Sequence, residues 1–163
     1  MRREITWPEG CQSAAMLSVM LDAEFIWLSM DPKKYDTPKH RSMGEYGPRR
    51  GITRILRLLD EYQVKATFFT PAVFAEVYPQ TLETVIAAGH EIALHGYRHE
   101  DFTGMPPEQQ REILKRGSEI LESVTGTSPA GFRLPEGGCT EETLALIHEA
   151  GFRYDSSFFD HDI

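Results

Sequence analysis

Short apolar runs alternate with segments of helical period along this chain, and that alternation restricts it to folds built on a parallel sheet. Residues 14–21 (AAMLSVML) read as a first strand, 66–69 as a second, 91–94 as a third, 130–134 as a fourth and 152–154 as a fifth. Between the first two, Ile52, Ile55, Leu56, Leu59 and Tyr62 recur at helical spacing. Pro79 opens a helix that stops at Gly89, Pro107 opens a long one that Gly126 closes, and Thr140 caps a last one running to Gly151. Strand-helix alternation implies an α/β architecture with helical crossovers, whose active residues sit at the carboxyl ends of the strands. The polar stretch 22–50 is expected to be a long functional loop.

The bulk properties narrow the function classes. At 163 residues the chain suits one domain, 1–163, with a sizeable core. Its net charge of −8 opposes long-range attraction to nucleic acid or to an anionic membrane. The longest apolar run, 14–21, is far too short for a membrane span, and no apolar segment follows Arg2-Arg3 as a secretion signal requires. A cytoplasmic location is therefore expected. Cys11 and Cys139 have no ligand spacing and are expected to be free thiols. No glycine-rich phosphate loop follows any strand, which argues against nucleotide binding.

The chemistry-bearing residues fall at strand ends. His95 and His99 follow the third strand at the spacing that brings two imidazoles to one side of a helical turn. Asp22 and Glu24 follow the first, residues 133–138 the fourth, and residues 155–162 the fifth. Asp22, His95 and His99 together make a two-nitrogen, one-oxygen set suited to a divalent metal such as Zn²⁺, with an open position for water. Glu24 is the candidate general base, and Arg133 the candidate to orient a carboxylate base or an anionic substrate group. Trp27, Tyr46, Tyr97 and Phe159 stand in expected rim loops as stacking surfaces for a sugar ring or flat amide, against the alternative of simple packing. Asp160 and Asp162 are candidates for binding substrate hydroxyl or amide groups.

In these residues the chain resembles the polysaccharide deacetylase family, which includes chitin and peptidoglycan deacetylases and metal-free allantoinases. Residues 18–24 (SVMLDAE) resemble its first motif, His95-Gly-Tyr-Arg-His99 its second, and Arg133-Leu-Pro-Glu-Gly137 its third. Residues 154–157 followed by 160–162 resemble the segment lining the substrate pocket, and Pro135 of the third motif is a further candidate for binding substrate. The resemblance implies an irregular (β/α) barrel, incomplete over these residues, and metal-assisted hydrolysis of a non-peptide carbon–nitrogen bond. It implies a small-molecule or oligosaccharide amide substrate. It also implies a second carboxylate beside the metal-binding one, a place that falls on Met20, Ala23 or Glu24 according to the alignment. The family's general-acid histidine belongs to a later motif absent from residues 1–163. Two other readings stay open: a metal-free, allantoinase-like hydrolase and an inactive ligand-binding unit. Strand edges left open by an incomplete barrel lead us to expect self-association into a homo-oligomer.

Overall fold

Five parallel strands in the spatial order β1-β2-β3-β4-β5 form the one sheet of the computed structural model, which describes residue 7 and residues 9–158. The strands are β1 (Ser18–Met20), β2 (Thr67–Thr70), β3 (Glu91–Leu94), β4 (Gly131–Phe132) and β5 (Tyr154–Asp155). The helices are α1 (Phe25–Met30), α2 (Pro32–Tyr35), α3 (Pro38–Tyr46), α4 (Ile52–Glu61), α5 (Val73–Val77), α6 (Pro79–Ala87), α7 (Pro107–Thr125) and α8 (Glu141–Glu149). A π-helical turn, Gly47–Gly51, joins α3 to α4. Every strand pair is parallel, as the alternation of strands and helices requires.

Side-chain parity divides the sheet into two faces. In register, Val19 pairs Phe68, Phe68 pairs Ile92 and Leu94 pairs Phe132, and these residues face the helices. Phe68, Leu94 and Phe132 are fully buried there among Leu82, Leu114 and Leu121. Gly117 lets α7 lie directly on β3, because a Cβ at that position would come within 2.7 Å of Leu94 Cδ1. The opposite face carries Ser18, Met20, Thr67, Phe69, Glu91, Ala93, Gly131 and Tyr154. Across it Arg133, just past β4, reaches Ser18 of β1 and Ser156 beyond β5. One side chain that reaches edge strand β1 and the residue just past edge strand β5 shows the sheet curling into a partial barrel.

The structure corrects several boundaries. Residues 14–17 are exposed and not part of a strand, because β1 is an edge strand whose partner segment starts at Thr67. The stretch 22–50, expected as a loop, is mostly helical. Asp31 accepts from the Lys33 and Lys34 amides and Thr37 from the His40 amide, with Pro32 and Pro38 in the first turns behind them. The long helix closes as expected, with Gly126 left-handed at φ 76° and its amide on Glu122 O. Thr140 caps α8 through a reciprocal pair with Thr143. No helix among the described residues is long and apolar enough to cross a membrane.

Candidate metal centre

Strand parity places the site. Ser18, Met20 and Asp22 point one way, Glu91, Ala93 and His95 point the same way, and so do Gly131 and Arg133. The ladder carries into them: Leu21 N donates to Phe69 O, His95 N to Thr70 O and Arg133 N to Leu94 O. Asp22 and His95 thus leave their strands at one level, with Pro71 between them offering no polar group. His95 Nε2 lies 3.6 Å from Asp22 Oδ1 and His99 Nε2 lies 3.9 Å from Asp22 Oδ2.

His99 reaches the site on a tight turn and not on the helical turn expected from the spacing. Gly96 (φ 73°) and His99 (φ 66°) both adopt left-handed backbone, a conformation that costs a non-glycine residue about 1 kcal/mol. Glu100 supports the turn by accepting from the Tyr97 and Arg98 amides, at 2.9 Å each. The amides of Ala72 and Val73 bind the carbonyls of Gly96 and Tyr97. Buried Pro135 braces it from the other side, its ring 3.2 Å from where a Cβ on Gly96 would stand.

The protonation of His95 is fixed by its backbone partner. His95 Nδ1 lies 2.7 Å from the Arg133 carbonyl, which only accepts, so Nδ1 carries the hydrogen and Nε2 is bare. Burial, with His99 and Arg133 adding to it, pushes the His95 pKa down to about 4 despite that hydrogen bond, so the ring is neutral at pH 7. Asp22 Oδ1 is buried and accepts no hydrogen bond. Burial raises the Asp22 pKa, which His99 opposes and Glu136 reinforces. Ligand atoms of Asp22, His95 and His99 all lie within 4.8 Å of one another, the one such cluster among the described residues. A carboxylate with one orphaned oxygen, facing the bare Nε2 of His95 and the Nε2 of His99, fits a divalent cation and leaves room for further ligands.

The remaining expected residues divide. Glu24 is buried, and its Oε2 accepts from Tyr78 Oη at 2.8 Å. Burial first, and then this bond, raise the Tyr78 pKa. Arg133 stacks on Phe69 at 4.2 Å, and its donors meet Ser156 O and Oγ, Ser18 Oγ and Met20 Sδ, so no carboxylate is among its hydrogen-bond partners. Burial lowers its pKa, against the pull of Asp155. The expectation that Tyr97 stands open as a stacking surface is corrected: its ring is buried, its hydroxyl donates to Glu76 and accepts from Arg116, and the Arg116 guanidinium covers it at 4.0 Å. Trp27 is half-buried on α1 and meets His40 edge-on at 5.9 Å. Tyr46 is exposed at the end of α3 and accepts from Arg54. Phe159, Asp160 and Asp162 lie outside the described residues.

Two residues to which the sequence reading gave no role of their own lie at the other nitrogen of His99. Ser29 Oγ is 3.3 Å from Nδ1 and Glu136 Oε1 is 3.9 Å away. Glu136, like His99, has left-handed backbone, at φ 57°. Its signal in the sequence is the Gly137-Gly138 pair behind it; Ser29, in the presumed loop, had none. Ser29 also lines a cleft of about 640 Å³ with Phe25, Leu28, Arg41 and Arg98.

Comparison with known proteins places this arrangement among relatives. Residues 43–154 match the family model described as polysaccharide deacetylase. Peptidoglycan deacetylase-like protein FGM2 of Gibberella zeae is 36% identical over 90% of this chain and 44% of its own length. The peptidoglycan deacetylase of Helicobacter pylori is 32% identical over 88% of this chain and 49% of its own. The solved structure of a candidate polysaccharide deacetylase from Mycobacterium smegmatis superposes with a TM-score of 0.92 at 40% identity, over 97% of this chain and 55% of that one. The chain spans about half the length of the curated relatives it matches.

Proposed function

We propose, on the premise that this chain belongs to the polysaccharide deacetylase family, that it forms the metal-holding part of a hydrolase acting on a non-peptide carbon–nitrogen bond. The observation that carries this reading is the Asp22 carboxylate, its Oδ1 buried and unpartnered, facing the bare Nε2 of His95 and the Nε2 of His99. Asp22, His95 and His99 would hold the ion, with zinc the best match to two nitrogens and one oxygen. A divalent cation there supplies an acidified water and a polarised amide carbonyl.

The protein's own groups do the rest. His95 stays neutral at working pH because burial disfavours its charged form, so its Nε2 lone pair is always available. Glu24 is the proposed proton acceptor; Tyr78 occupies Oε2, which leaves Oε1 to take a proton. Arg133 ties the strands beneath the site together through Ser18 and Ser156. The proposed substrate is an N-acetylated oligosaccharide or a smaller amide, a class supported by the peptidoglycan deacetylase named among the relatives. A cytoplasmic location and a homo-oligomeric state are proposed with it.

One observation favours a second reading, a binding site without turnover. Arg133, the candidate to orient a base, meets the Met20 thioether and two serines where an orienting role calls for a carboxylate. Metal content after gentle purification, measured beside acetate release from N-acetylglucosamine oligomers, separates the readings. One equivalent of zinc with metal-dependent release supports the hydrolase. One equivalent without release supports the binding site. Turnover with no metal overturns both and favours the allantoinase-like alternative.

A further inference from the structure

The two histidines obtain their tautomers by different means. His95 Nδ1 donates to the Arg133 backbone carbonyl, a partner that side-chain substitution does not remove. His99 depends on a side chain. Ser29 Oγ, in the last turn of α1, donates its single hydrogen to the Ile26 carbonyl at 3.0 Å and lies 3.3 Å from His99 Nδ1. With that hydrogen committed, the second contact is Nδ1–H donating to a serine lone pair. The hydrogen then sits on Nδ1, and the bare Nε2 is the atom that faces Asp22 Oδ2. Glu136 Oε1, 3.9 Å from the same Nδ1, places negative charge on the protonated side and favours the same tautomer.

We propose that Ser29 is a positioning residue: its hydroxyl, oriented by the Ile26 carbonyl, holds His99 as the Nδ1–H tautomer and aims Nε2 at the Asp22 carboxylate. Helix α1 thereby controls a ligand that belongs to the turn after β3. Partners of this kind are typically worth about 10–100-fold in metal affinity. The consequence for metal binding rests on the proposed metal site; the tautomer does not.

The test uses the chain with Ser29→Ala, and the pair Ser29→Thr and Ser29→Val, which differ in the hydroxyl alone. Long-range ¹H–¹⁵N spectra of the metal-stripped protein at pH 8 read the tautomer of each histidine. The expected result is Nδ1–H for His99 in the parent and Ser29→Thr, and loss of that preference in Ser29→Ala and Ser29→Val, with His95 unchanged in all. Zinc affinity from chelator competition is expected to fall about 10–100-fold in the Ala and Val variants and to return to within about threefold in Thr. An unchanged His99 tautomer in both hydroxyl-free variants overturns the proposal, as does parent-like zinc affinity in both. A parent that takes up no zinc defeats the metal reading, while the tautomer comparison still decides the role of Ser29.

Discussion

The two faces of the sheet come from the same short strands yet obey different rules. The face toward the helices is apolar, with Phe68, Leu94 and Phe132 fully buried against α6 and α7. The inner face carries Ser18, Thr67, Glu91, Arg133 and Tyr154, and ends in Asp22 and His95. Its groups are polar and mostly half-buried, with Glu91 exposed: the Tyr154 pKa is pushed up to about 12, mainly by burial, and Asp22 keeps an oxygen with no donor. One face supplies stability, and the other holds groups that folding leaves unsatisfied until a ligand arrives. Residues kept in that condition lower stability, and they persist where chemistry needs them.

Four measurements break or sharpen this contrast, taken from the largest expected effect to the smallest. Phe132→Ala, on the apolar face, should lose about 3–5 kcal/mol in urea unfolding while zinc stoichiometry in the folded fraction stays at the parent value. Lost zinc binding at parent stability would show that the faces are not separable.

Acid should weaken the fold through the inner face. His95 holds its proton less tightly folded, near pH 4, than unfolded, near 6.5. The stability it contributes is full above pH 6.5 and disappears as pH falls toward 4, by roughly 3 kcal/mol. Asp22, with its pKa raised, acts in the opposite sense over the acidic part of that window. The pH dependence of the metal-free parent is therefore compared with that of His95→Gln, in which this slope should flatten; an identical slope would remove His95 as its source.

Asp22→Asn should raise the stability of the metal-free protein by about 1 kcal/mol, because an amide donates where two bare nitrogens wait and no buried charge remains. The same change should lower zinc affinity at least about 100-fold. A variant less stable than the parent would mean that Asp22 is already satisfied. Smallest of all, Leu58→Glu on the exposed side of α4 should shift stability by no more than about 0.5 kcal/mol and leave zinc binding alone.

How much of this the sequence disclosed depends on the range of the forces involved. Strand order and the long helices were legible because period and punctuation are local: Gly126 and Thr140 end and start helices just as their positions suggest. The convergence of Asp22 with His95 and His99 was legible as a strand-end pattern. The stretch 22–50 was misjudged on its polarity, although Asp31-Pro32 and Thr37-Pro38 spell two helix starts. The His turn was not legible, because its left-handed backbone at His99 is held by Glu100 and Pro135, contacts that spacing does not encode. Glu24 was read as a candidate base and Glu136 only as part of the third motif; folding brings Tyr78 to one and His99 to the other.

Asp22 ends an edge strand and His95 ends a strand two places in, with β2 between them. An ion shared by these two side chains would therefore also be a removable cross-link, fastening an edge strand to the middle of the sheet. With the proposed ion bound, heat resistance would report free metal concentration: a hundredfold excess over the dissociation constant would add about 2.7 kcal/mol, and a chelator would take the same amount away.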